Sequence, residues 1–157
     1  VYKLAAIIDK DGNVTPKIKL SENVAKITNP GFKTIYRVYD KKTGKAEADC
    51  ICLRSEKEVD TSKELVLYHP VDHWKKIAFT DYEVRYLQQE IIKDGKLVYD
   101  LPSLKEIKKY AQQEIASFWD EYKRLDKPHL YKVDLSDELY ELKRDMLKKI
   151  RTANVGV

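Results

Sequence analysis

The stretch TIYRVYDKKTGKAEADCICL, residues 34–53, decides the fold of this 157-residue chain. Its two ends, residues 34–39 and 46–53, carry aromatic, β-branched and small apolar side chains, which predicts two strands. The polar segment 40–44 between them ends at Gly44 and is typical of a longer hairpin loop. We therefore expect an antiparallel strand pair here.

The residues before this hairpin also predict β-structure. The apolar run 4–8 and the alternating segment 14–20 flank Asp11 and Gly12, a pair that is typical of a hairpin turn. A continuous apolar run indicates a strand that is buried on both faces and needs neighbours. Since the chain has no initiator Met and opens in such a run, we expect it to be cut from a longer polypeptide.

A polar segment, residues 55–62, divides the chain by composition. We predict that residues 1–54 are the β-rich end of a larger catalytic or β domain. Residues 55–157 are then an α+β appendage. Short strands are predicted in this appendage at 65–68 and 76–79, followed by a further hairpin.

The hairpin pairs residues 82–92 with 96–99 through Asp94 and Gly95, which favour the positive φ angles of a type I′ turn. Two helices are predicted after it, over 103–125 and 136–151, the second capped by Ser136. Ser103 and Glu106 form the capping box of the first. We expect the helices to pack through apolar side chains at helical spacing: Leu104, Ile107, Ile115, Phe118, Leu139, Leu142 and Met146. The predicted fold class is α+β, with an antiparallel or mixed β part, short strands, a hairpin and two C-terminal helices.

Charge is unevenly distributed along the chain. The net charge is +4, and residues 1–50 hold ten Lys or Arg against six Asp or Glu, which accounts for the whole surplus. This asymmetry indicates an anionic partner, most commonly phosphate, although a solvated lysine surface is the alternative. No apolar run approaches the roughly 20 residues of a membrane span. Cys50 and Cys52 are spaced poorly for a disulfide, so we expect reduced thiols and a cytoplasmic location.

The sequence gives little support to a metal site or to nucleophilic catalysis. His69, Asp72 and His73 lie close together, but a zinc site needs three or four ligands in a closed shell, and Pro70 disfavours a helical histidine pair. There is no nucleophile elbow and no glycine-rich phosphate loop of the G-x-x-x-x-G-K type. We therefore predict no metal site and no catalytic residue in this chain.

One basic stretch has a specific pattern, K-L-S-E-N-x-x-K-I-T-N-P-G-F-K-x-x-Y-R from Lys19 to Arg37. Lysines and hydroxyl groups alternate there with apolar residues, so one face can enter a core while the other meets an anion. This run, with V-Y-K-L at residues 1–4, resembles the C-terminal region of bacterial-type nicotinate phosphoribosyltransferases. The likeness continues in H-W-K-K at 73–76, L-P-S-L at 101–104 and V-D-L-S at 133–136.

The resemblance implies a C-terminal fragment of an NAD-salvage enzyme, formally a ligase. Such an enzyme joins nicotinate to phosphoribosyl pyrophosphate, giving nicotinate mononucleotide and pyrophosphate, with Mg²⁺ and ATP hydrolysis. It implies a cytoplasmic homodimer with no membrane or nucleic-acid partner. The family's catalytic histidine and glycine-rich loop belong to a barrel absent from this chain, so the fragment alone is expected to be inactive.

The resemblance also implies site residues. Lys3 matches a lysine that approaches phosphate groups of the neighbouring subunit. Further positions match the family motif without an assignable role, and they are Lys19, Ser21, Lys26, Thr28, Lys33 and Arg37. The competing hypothesis is a free-standing basic interaction module. Its partner could be RNA, because Tyr36, Arg37 and Tyr39 interleave aromatic and basic side chains. A coding sequence for a barrel upstream of Val1 would favour the enzyme.

Overall fold

The computed structural model describes residues 2–72 and 74–154. The strands of this part are β1 (Ala6–Ile8), β2 (Val14–Pro16), β3 (Lys33–Asp40), β4 (Ala46–Leu53), β5 (Leu65–Tyr68), β6 (Lys76–Phe79), β7 (Tyr82–Tyr86), β8 (Ile92–Lys93), β9 (Lys96–Leu97) and β10 (Lys132–Leu135). Its helices are a 3₁₀ turn (Val24–Lys26), α1 (Leu104–Ser117), α2 (Asp120–Lys123) and α3 (Asp137–Asn154). The predicted α+β class is confirmed.

A six-stranded mixed sheet organises the domain, in the order β6-β5-β10-β4-β3-β7. The predicted β3–β4 hairpin is confirmed, and it places Arg37 directly opposite Asp49. Strand β10 is parallel to β4 and antiparallel to β5, so it lies between two strands that precede it by some 65 residues or more. Strands from both sides of the predicted boundary at 55–62 thus belong to one sheet.

The β1–β2 hairpin forms at the predicted turn, where Gly12 has a φ of 85°. Its second strand was expected to reach residue 20 but ends at Pro16. The backbone leaves β1 after Lys17 because Lys19 is held by Thr28 instead. The Lys19 N–H donates to Thr28 Oγ1 at 2.8 Å, and the Thr28 N–H donates to the Lys19 carbonyl at 3.3 Å.

The β8–β9 hairpin also forms where the sequence predicts it, with φ of 49° at Asp94 and 74° at Gly95. The strand expected over 82–92 is wrong in its second half, since β7 ends at Tyr86. Its pairing with β3 extends to Leu87, whose N–H donates to the carbonyl oxygen of Ile35 at 3.0 Å.

Helix α1 begins as predicted, because Ser103 and Glu106 form both hydrogen bonds of a capping box. The expectation that it continues to residue 125 is wrong. Phe118 and Trp119 are extended, with ψ near 150° at both, and only the single turn α2 follows. Tertiary contacts impose this break, since the Phe118 ring lies 4.6 Å from the Arg37 guanidinium and Trp119 Nε1 donates to Glu47 at 2.8 Å.

The expected packing between the two helices is also wrong. Helix α3 packs on the sheet through Leu139, which is fully buried beside Leu135 and Tyr140. No residue along α1, all of which is described, is buried. Leu104 is 82% exposed, and Ile107 and Ile115 are exposed as well. The apolar stripe of α1 therefore faces away from this domain's core.

The core lies on both faces of β4 because its side chains alternate in direction. Ala48, Cys50 and Cys52 are buried on one face, where they join a cluster with Val38 and Leu67. The other face carries Asp49 and, further along, the residues that α3 covers. Among the described residues, no helix has both the length and the apolar character needed to cross a membrane.

Candidate functional site

The N-terminal lysine predicted to contact phosphate lines a cleft of about 470 Å³ between β1 and the start of β3. The lining residues are Lys3, Leu4, Ala5, Ala6, Ile8, Gly31, Phe32, Lys33 and Gln88. Lys3 is exposed, and its ammonium group lies 3.4 Å from the carbonyl oxygen of Lys26. The cleft thus combines an apolar wall from β1 with two lysines.

The turn at Asn29, Pro30 and Gly31 reaches this cleft through Gly31, which lines it. The Gly31 N–H donates to the Ala5 carbonyl at 2.8 Å, which fastens the turn to the β1 segment. Gly31 has a φ of 88°, and a Cβ there would lie 2.6 Å from Leu53 Cδ2. Glycine therefore suits the positive backbone angle, and a Cβ at this position would require the Leu53 side chain to move.

Two lysine side chains clasp the same turn. Lys33 Nζ donates to the carbonyl oxygens of Asn29 at 2.9 Å and Gly31 at 2.6 Å. Lys143 Nζ, from α3, donates to Asn29 Oδ1 at 2.9 Å and to the Pro70 carbonyl at 2.8 Å. Burial lowers the pKa of both ammonium groups. The clasp joins the cleft to the C-terminal helix and to the loop after β5.

The other motif positions are Lys19, Thr28, Lys26 and Ser21. Lys19 and Thr28 hold each other through backbone and hydroxyl hydrogen bonds, which is a scaffold role. Lys26 meets Lys3 only through its carbonyl, and its own side chain is exposed. Ser21 is partly buried in the loop before the 3₁₀ turn. The structure therefore brings Lys3, Lys26 and Lys33 to one region and uses Thr28 to shape it.

Arg37 does not line that cleft. Its guanidinium donates Nε and Nη2 to the two carboxylate oxygens of Asp49, at 2.7 and 3.0 Å, and Nη1 to Glu114 at 3.3 Å. The hydrogen bond and charge of Asp49 raise the pKa of Arg37. The Phe118 ring covers the guanidinium plane. The Arg37 guanidinium therefore binds side chains within the domain.

The sequence analysis did not predict the residues that bind Arg37 and Lys143. Tyr131 donates its hydroxyl to Asp49 at 3.0 Å, and Glu114 also pairs with Arg85. The hairpin register could have indicated the Arg37–Asp49 pair, because opposite charges at facing positions attract. A second signal concerns Lys143. It lies four residues after Leu139, which places it on the core-facing side of α3 and could have indicated a buried cation with partners.

A second cleft, of about 650 Å³, adjoins the first at Phe32 and Lys33. Glu56 lies in its wall and accepts hydrogen bonds from the Leu53 N–H at 2.6 Å and the Ser136 hydroxyl at 2.7 Å. Burial raises the pKa of Glu56. It also raises the pKa of Cys52 to about 12, so this thiol stays protonated at neutral pH.

The His, Cys, Asp and Glu side chains of the described residues are the candidate metal ligands. Within residues 2–72 and 74–154, no group of three or more His, Cys, Asp or Glu side chains is arranged to hold a metal ion. His69 Nδ1 accepts the N–H of Asp72 at 2.9 Å. His73, which the sequence places beside it, lies outside the described residues.

These observations define a C-terminal α+β domain with a basic cleft at its N-terminal edge. Residues 32–143 match the family described as the nicotinate phosphoribosyltransferase C-terminal domain. The chain belongs to this family, as the resemblance implied.

Curated relatives share this similarity. The chain is 35% identical to nicotinate phosphoribosyltransferase of Bacillus subtilis over 97% of its own length and 31% of that protein. It is also 35% identical to the Caenorhabditis elegans enzyme, over 90% of this chain and 24% of the relative. The chain therefore spans less than a third of the length of these relatives.

A solved structure has the same fold. The crystal structure of human nicotinic acid phosphoribosyltransferase superposes with a TM-score of 0.70 at 27% identity, over 76% of this chain and 24% of that one. The family match starts at residue 32, so it includes Lys33 and Arg37. The assignment of Lys3 to phosphate binding stays a prediction, and no ligand role was predicted for the other motif residues.

Proposed function

We propose that this chain is the C-terminal domain of a nicotinate phosphoribosyltransferase, and that the whole enzyme makes nicotinate mononucleotide and pyrophosphate from nicotinate and phosphoribosyl pyrophosphate. The observation that carries the proposal is the family match over residues 32–143. The identity with the Bacillus subtilis relative over nearly the whole chain supports it. The interaction-module alternative has no comparable support.

In this proposal the domain shapes one edge of the active site and leaves the chemistry to the rest of the enzyme. Mg²⁺ and ATP are assigned to the rest of the enzyme, because the catalytic histidine and the glycine-rich loop implied by the family resemblance lie outside this chain. Arg37 and Lys33 satisfy acceptors inside the domain. Lys3 is exposed in the cleft, which suits an ammonium that reaches a phosphate group from another subunit. The enzyme would act as a cytoplasmic homodimer.

Expression of the whole open reading frame that contains this chain tests the proposal. With nicotinate, phosphoribosyl pyrophosphate, ATP and Mg²⁺, we expect the full-length protein to form nicotinate mononucleotide. The 157-residue chain should form none above a no-protein control under the same conditions. An inactive full-length protein that retains its folded circular dichroism spectrum would contradict the proposal, and turnover by the chain alone would contradict the assignment of chemistry to the rest of the enzyme.

A further inference from the structure

The segment of residues 91–113, here called the arm, has no buried residue in the described part of the chain. It contains the whole β8–β9 hairpin and the first ten residues of α1. Large apolar side chains are exposed along its whole length, and they are Ile91, Ile92, Leu97, Val98, Leu101, Leu104, Ile107 and Tyr110. Single exposed apolar residues are ordinary, but a series of eight large ones within one segment is typical of an interaction surface.

The arm is held in a fixed direction by its C-terminal end. Glu114 accepts hydrogen bonds from both Arg37 and Arg85, and Lys45 Nζ donates to the Ala116 carbonyl at 2.8 Å. Trp119 adds its bond to Glu47. These contacts anchor the last turn of α1 to the β3–β4 hairpin and to β7.

The charge of the arm disfavours pairing between two arms. Residues 91–113 hold five lysines and three acidic residues. In a symmetric contact between two copies, two arms that each carry a net charge of +2 would be brought together, and this repulsion is unfavourable. The apolar stripe therefore fits a surface of different composition better than a second arm.

The length of the relatives points to such a surface. This chain corresponds to 31% of the Bacillus subtilis relative, so about two thirds of a polypeptide of that length lies outside it. We propose that the arm docks, within the same subunit, onto the part of the polypeptide that precedes Val1, and so fixes this domain relative to the rest of the enzyme. This inference rests on the proposed function, because it requires the longer chain.

Photo-crosslinking in the full-length protein tests the inference. A benzophenone-bearing phenylalanine analogue replaces Leu104 on the exposed stripe, and the same analogue replaces Lys109 on the opposite side of α1 as the matched control. We expect ultraviolet light to join position 104 to the segment preceding Val1 within one polypeptide, with at least fivefold less product from position 109. A crosslinked product of twice the subunit mass, or equal yields at the two positions, would overturn the inference.

A second measurement uses stability. Ile107→Asp should lower the melting temperature of the full-length protein by several degrees, whereas Lys109→Asp should not, and neither change should affect the isolated chain. Equal melting temperatures for the two full-length variants would count against docking. Nicotinate mononucleotide formation is measured on the same preparations. An active enzyme without the crosslink contradicts only the docking, and a crosslinked but inactive enzyme contradicts only the proposed function.

Discussion

Arg37 on β3 and Asp49 on β4 face each other directly across the central hairpin and share two hydrogen bonds, of 2.7 and 3.0 Å. Both side chains are largely buried, at 13% and 10% exposure. The pair lies beneath Phe118 and accepts a further bond from Tyr131. It therefore connects the sheet to the segment that follows α1.

Breaking this pair should destabilise the domain. Arg37→Met leaves the Asp49 carboxylate buried without its cation, which costs about 3–5 kcal/mol for a buried pair. Urea denaturation of the chain measures the change in the free energy of unfolding. The matched control is Lys42→Met in the exposed Lys42–Asp81 pair, where we expect a loss of at most about 1 kcal/mol. Equal losses of unfolding free energy for the two variants would show that the Arg37–Asp49 pair stabilises the domain no more than an exposed pair does.

Gly31 lies where the turn approaches β4. Gly31→Ala forces a positive φ on alanine and places its Cβ 2.6 Å from Leu53 Cδ2. Gly12→Ala meets the same kind of backbone strain, with a φ of 85° but open space around the Cβ. The strain alone costs about 1–2 kcal/mol, so thermal unfolding should show this loss at both positions and a further loss at Gly31, where the Leu53 side chain has to move. A larger loss at Gly12 would refute the close-approach argument.

The two leucines that sequence periodicity treats alike should differ in their effects. Leu139→Ala empties a fully buried position and should cost about 2–5 kcal/mol. Leu104→Ala removes a side chain that is 82% exposed in this chain, and should change stability by no more than about 0.5 kcal/mol. Chemical denaturation of the isolated chain compares them directly. Similar losses would mean that α1 packs against this domain after all.

Glu56 should give the domain a pH dependence of defined sign. Burial raises its pKa, so the folded chain binds this proton more tightly than the unfolded chain does. Its contribution is therefore most favourable below the ordinary glutamate pKa of about 4.3 and declines as the pH rises through the raised value. Between pH 4 and 8, the wild-type chain should lose stability relative to Glu56→Gln. Glu58→Gln, at an exposed position, should track the wild type, and an opposite slope for Glu56→Gln would exclude this origin.

Lys3 is predicted to contact phosphate in the full-length enzyme. One charge-assisted hydrogen bond contributes about 1.5–3 kcal/mol, which corresponds to roughly ten- to a hundredfold in binding. Lys3→Ala should therefore raise KM for phosphoribosyl pyrophosphate by that factor and leave KM for nicotinate nearly unchanged. Lys10→Ala, in the exposed turn of the same hairpin, is the control. Unchanged kinetics with a lowered Tm would instead assign Lys3 a purely structural role.

Much of the site could be predicted only as a list of positions. The motif from Lys19 to Arg37 indicated the family, but it did not separate Arg37, engaged by Asp49, from Lys3, exposed in the cleft. Nothing in the motif pointed to Lys143, which reaches Asn29 from 114 residues away. A ligand or scaffold role depends on which acceptors surround a cation, and those acceptors come from distant segments.

The sequence by itself determined the elements whose signals are local. The turns at Gly12 and at Asp94, and the Ser103 capping box, each depend on a few adjacent residues, and all three form as predicted. Tertiary structure alone decided that β10 enters the sheet between β4 and β5, that α1 ends at Ser117, and that the apolar stripe of α1 stays uncovered. The physical reason is that hydrophobic periodicity specifies which face of an element is apolar, whereas the surface that covers this face is set by packing between segments far apart in the chain.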